Sequence, residues 1–118
     1  MRNIALPYLA AIAIAASLVG ASAALAKPAY IGGWGLGPNS CIAGEAELGI
    51  TRTTWGEPDS VCRIRSVTGG KGVWHVNLFK CKGDGVPPRA SVIIWATASR
   101  ATTQYAGTKF RNNFVRCY

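Results

Sequence analysis

Two hydrophobic patterns divide the chain. From Ile4 to Val19 the residues are mostly apolar, without charge or a turn-by-turn period, and the stretch closes in the small-residue triplets Ala21-Ser22-Ala23 and Ala24-Leu25-Ala26. After residue 26 apolar and polar positions alternate in short runs, and only a short turn around Cys41 to Glu47 departs from that rhythm. Ser60 to Val67 sets Cys62 and Ile64 on one face of a strand and Arg63 and Arg65 on the other. Val73 to Lys82 sets Trp74, Val76 and Leu78 against His75 and Asn77. Ala90 to Thr97 is rich in β-branched and aromatic residues, Ala46 to Thr53 and Ala101 to Tyr105 are weaker runs, and Asn113 to Tyr118 ends the set.

Turn residues punctuate these runs. Gly69-Gly70-Lys71-Gly72 predicts a hairpin turn, Trp55-Gly56-Glu57-Pro58-Asp59 a second turn, and Gly83-Asp84-Gly85-Val86-Pro87-Pro88 a break. Lys27 to Ser40, rich in Gly and Pro, predicts an irregular arm whose Tyr30, Ile31 and Trp34 fold back onto the domain. The expected organisation is therefore a leader over residues 1–26, an irregular arm over 27–40 and a β domain over 41–118. Five to six short strands joined by short turns imply an all-β antiparallel meander, or a small barrel.

The leader reads as an export signal. Arg2 precedes 16 residues from Ile4 to Val19, short of a bilayer-spanning helix, and no cationic stop-transfer cluster follows. Cleavage is expected after Ala26, with Ala23 as the alternative, leaving a periplasmic or secreted chain without a transmembrane segment. The slightly positive mean hydropathy comes largely from this leader. What remains has room for one small domain, whose core alone leaves a thin stability margin.

Cys41, Cys62, Cys81 and Cys117 supply the covalent help such a domain needs. Their spacings of 21, 19 and 36 residues lack the close pairs of a zinc site, and there is no C-x-x-C redox motif. Two disulfides follow, for which sequence allows three pairings. An up-and-down strand order brings Cys62 near Cys81 at one end and Cys41 near Cys117 at the other. About the Gly69–Gly72 turn, however, Cys62 faces a position near Leu78, so the first pair requires a β-bulge near Phe79.

Candidate catalytic chemistry is sparse, and no cofactor is implied. His75 is the single histidine and no G-x-S-x-G elbow accompanies it. The carboxylate pairs Glu45/Glu47 and Glu57/Asp59 lie in or beside turns, which favours solvated side chains over the opposed acids of a glycosidase. The glycines from Gly32 to Gly37 lack the flanking strand and helix of a phosphate loop. The protein is expected not to be an enzyme.

Charge points elsewhere. Without Arg2, 12 of the 13 Lys and Arg remain against 5 acids, a net charge of +7. Arg63 and Arg65 share the outward face of one strand and Lys80 and Lys82 a face of the next, making these four the candidate ligand-binding residues. Such a surface serves solubility, or it meets an anionic glycan, a lipid head group or an acidic protein. Export disfavours nucleic acid as the partner. The expected function is a noncatalytic binding protein for an anionic envelope or extracellular ligand. The alternative is a secreted inhibitor of a hydrolase, which would present the proline-stiffened loop Gly83–Arg89 to an acidic target.

Several short motifs share one frame: Gly33-Trp34-Gly35, then Cys41, then Ser60-Val61-Cys62-Arg63-Ile64-Arg65-Ser66-Val67. Trp74-His75-Val76 with Cys81 and Phe114-Val115-Arg116-Cys117 complete it. In this frame, from Gly33 to Tyr118, the chain resembles small exported four-cysteine β proteins of Gram-negative bacteria. That resemblance implies a β-rich exported domain without known catalysis and carries over no functional residues.

Overall fold

The computed structural model describes residues 27–44 and 46–118. The expected export signal, residues 1–26, and Glu45 of the first carboxylate pair lie outside the described residues. The strands are β1 (Gly32–Gly35), β2 (Leu48–Ile50), β3 (Thr54–Glu57), β4 (Ser60–Gly70), β5 (Val73–Gly83), β6 (Ala90–Ala96), β7 (Arg100–Tyr105) and β8 (Arg111–Arg116). Each is antiparallel to the next, and β8 returns to β1, so the meander closes into an all-β barrel. A 3₁₀ segment, Pro38–Gly44, connects β1 to β2.

Eight strands replace the five to six expected, and the extra ones come from segments read as arm and turn. The arm supplies β1, so the domain begins before residue 41. Its glycines are required by close approach rather than by turning. A β-carbon on Gly33 would fall 2.5 Å from the Tyr118 ring, and one on Gly35 would fall 3.0 Å from both Cys41 and Cys117 sulfurs. The turn expected over 55–59 is β3 up to Glu57, leaving Pro58 and Asp59 to reverse the chain into β4. Of the weak run 46–53, only Leu48–Ile50 forms a strand.

Apolar side chains fill the barrel. Trp34, Trp55, Leu48, Ile94, Val76 and Val92 are fully buried, with Ile50, Leu78 and Phe114 beside them. Most outward positions of β4 and β5 are polar or charged, including Arg63, Arg65, Thr68, His75 and Asn77, with Val61 and Phe79 the apolar exceptions. This inside-apolar arrangement is the reverse of a membrane-spanning barrel. Among the described residues, no helix is long and apolar enough to cross a membrane.

Three devices secure the closure. The disulfide Cys41–Cys117 lies at the seam, while Cys62–Cys81 staples the β4–β5 hairpin. The Arg116 guanidinium stacks 4.2 Å from the Trp34 ring centroid and donates to the carbonyls of Ala29 and Ile31, tying the segment before β1 to β8. Trp34 Nε1 donates to the Tyr30 carbonyl at 3.0 Å, and the Tyr30 ring meets Trp74 at 5.1 Å between centroids.

Candidate anion-binding face

The β4–β5 hairpin turns at Lys71 and Gly72, whose φ values of 54° and 89° match the signs of a two-residue type I′ turn. Two interruptions then shape its outer face. Val61 pairs with Lys82 but Arg63 pairs with Phe79, so Lys80 and Cys81 together oppose Cys62. Ile64 pairs with Leu78 but Ser66 pairs with Asn77, leaving Arg65 as an extra residue in β4.

The first bulge decides where the lysines point. By uninterrupted alternation Lys80 and Lys82 would fall on the side of Trp74, Val76 and Leu78, inside the barrel. At the bulge Lys80 adopts a φ of 50°, and the alternation reverses: Cys81 turns to meet Cys62, and both lysines stand exposed. One backbone irregularity thus forms the disulfide and displays two cations.

Both bulge residues converge on one aromatic ring. The Arg65 guanidinium lies 5.0 Å and the Lys80 ammonium 5.7 Å from the centroid of Phe79, which faces outward between them. Arg63, Lys80 and Lys82 border a depression of about 380 Å³ that also includes Thr54, Val61 and Cys62. Val61 is 47% exposed there, an apolar surface among cations. Arg65 belongs to a second depression of about 410 Å³, with Asn77, Arg89, Ser91 and Ala106. Asn77 Nδ2 donates to Ser66 Oγ at 3.0 Å and Ser91 Oγ donates to Asn77 Oδ1 at 2.8 Å, giving this side a hydrogen-bonded polar row.

The four cations expected from sequence therefore occupy one outer face, divided between two depressions, and one cation from each lies over Phe79. Phe79 and Arg89 complete that face. Phe79 shares the outward phase of His75 and Asn77 in the sequence, a signal that its apolar character obscures. His75 itself stands exposed on β5.

The other polar cluster lies at one mouth of the barrel. Glu57 Oε2 accepts from Tyr105 Oη at 2.9 Å and from Ser60 Oγ at 3.4 Å, joining β7 to β3 and β4. Burial, and then the adjacent Glu57 carboxylate, raise the Tyr105 phenol well above its ordinary range. Asp59 stands exposed in the adjacent turn. Gly85, Val86 and Pro87 of the suspected inhibitory loop line the cavity of about 220 Å³ that contains Glu57, Ser60 and Tyr105. Cys81 N donates to the Pro88 carbonyl and Val86 is half-buried, so this segment is held against the barrel. Among the described residues, no three of His, Cys, Asp and Glu gather into a metal site.

Comparison of the chain with protein-family models, with curated proteins and with solved structures found no match.

Proposed function

We propose that this protein is a noncatalytic exported binding module that holds an anionic ligand on the outer face of β4 and β5. The observation that carries this reading is Lys80: a cation, not a glycine, occupies the left-handed bulge position and shares Phe79 with Arg65. Strained positions retained against an easier alternative concentrate at functional sites. The two disulfides suit an oxidising compartment, and the leader directs the chain to the periplasm or beyond. The resemblance to small exported four-cysteine proteins is in keeping with a noncatalytic role.

Binding of this kind weakens as salt screens the cations, since the screening length falls to about 10 Å at 0.1 M ionic strength. Retention of envelope components on the immobilised protein should be strong at low salt and lost at high salt. The double reversal Arg63→Glu with Arg65→Glu should weaken retention by more than about tenfold, from ~1 kcal/mol for each cation at an anionic surface. Retention of nothing at low salt would overturn the reading. Salt-tolerant capture of a hydrolase, abolished by substitutions within Gly83–Arg89, would favour the inhibitor instead.

A further inference from the structure

The basic face continues beyond β4 and β5. Its second depression runs from Arg65 past Arg89 to Ala106, where the β7–β8 turn begins. That turn is braced from within: Thr108 donates to the Tyr105 carbonyl through both its amide and its hydroxyl, and Gln104 Nε2 donates to the Thr108 carbonyl at 2.8 Å. Gly107, at a φ of 82°, permits the reversal. At the end of the braced turn is Lys109-Phe110-Arg111. Phe110 is 83% exposed, more than any other large apolar side chain among the described residues. Arg111 folds back along the wall, 4.8 Å from the Trp95 ring centroid, while Lys109 stands in solvent.

A rigid turn that holds a phenyl ring in water, at the end of a cationic stripe on a convex wall, fits a flat anionic partner with apolar depth. A glycan has no apolar layer to receive the ring, whereas an anionic bilayer offers phosphates to the cations and an apolar layer to Phe110 in a single partner. We propose that the protein docks peripherally on an anionic lipid surface. Arg63, Arg65, Lys80, Lys82 and Arg89 face the lipid phosphates, and Phe110 enters the boundary between head groups and acyl chains. This deepens the anionic-ligand reading and rests on it.

Cosedimentation with vesicles tests the proposal, using mixed phosphatidylglycerol and phosphatidylcholine against phosphatidylcholine alone. The protein should bind the mixed vesicles at low salt and leave the neutral ones in solution. Phe110→Ser, which keeps every charge, should weaken binding on the order of tenfold, from the apolar area withdrawn from water. Ile42→Ser, removing another exposed apolar side chain within the 3₁₀ segment, should leave binding unchanged. Equal binding by the Phe110 variant, or an equal loss in the Ile42 variant, would overturn the assignment of this docking face. Failure to bind anionic vesicles, with salt-sensitive retention on an anionic polysaccharide matrix, would overturn the lipid proposal alone. Retention on neither would overturn the anionic-ligand reading as well.

Discussion

Lys80 has a φ of 50° within β5, where a β-carbon crowds the following carbonyl and costs about 1–2 kcal/mol relative to glycine. Lys71 has a φ of 54°, but at a solvent-exposed hairpin turn away from Phe79. The two lysines allow backbone strain to be separated from ligand contact. Lys80→Gly should raise stability by about 1 kcal/mol, less the extra freedom glycine gives the unfolded chain, while reducing low-salt retention of the ligand. Lys71→Gly should be similarly stabilising and leave retention unchanged. Urea unfolding midpoints combined with a retention assay distinguish the cases, and a destabilised Lys80→Gly would show that the bulge is not strained. The charge at position 80 can be read in the sequence. Its outward direction cannot, because alternation from Trp74 points it inward.

Between elements, Tyr105 and Glu57 link β7 to β3, strands that are not neighbours in the barrel. Because the folded protein keeps the Tyr105 proton above the ordinary value of 10.0, the unfolded chain releases it first as pH rises. The contribution of this bond is therefore complete below about pH 10 and is lost progressively as pH climbs toward the folded value. Tyr105→Phe should cost about 1.5–3 kcal/mol near neutrality, as expected for a hydrogen bond to a charged acceptor. The gap from the unmodified protein should narrow above about pH 10. Denaturant midpoints on either side of that pH check the result, and a constant gap would exclude the linkage. Sequence patterning foresaw β4, β5 and β6 well because their inward positions alternate over long runs. It missed β1 and β3, whose few residues combine glycines with aromatics that acquire meaning only once neighbouring strands pack on them.

For the whole molecule, closure is the governing property. The Cys41–Cys117 bond spans 76 residues and ties the segment after β1 to the end of β8, whereas Cys62–Cys81 spans 19 within one hairpin. Chain-entropy arguments give about 4 kcal/mol for the longer loop and about 3 kcal/mol for the shorter. Replacing both cysteines of the first pair by serine should therefore lower stability more than replacing both of the second. Removing the second pair should also relax the Lys80 bulge and reduce ligand retention. Thermal unfolding of the two double variants, with retention measured on each, tests this ordering. A larger loss from the hairpin pair would show that bulge geometry outweighs loop closure. The pairing expected from sequence requires an up-and-down strand order plus a bulge near Phe79, and the structure contains both.

The sequence by itself determined the β character of the domain, the faces of its long strands, a hairpin turn within Gly69–Gly72, the number of cysteines and the excess of positive charge. These are local or compositional properties, set by side-chain type and a two-residue period. Only the tertiary structure decided that eight strands close into a barrel, that β1 needs glycine beneath Tyr118 and the disulfide, and that Lys80 turns outward. Each of those depends on which backbone lies beside which. A single shift in register reverses every side chain beyond it, and residue alternation alone does not specify where that shift occurs.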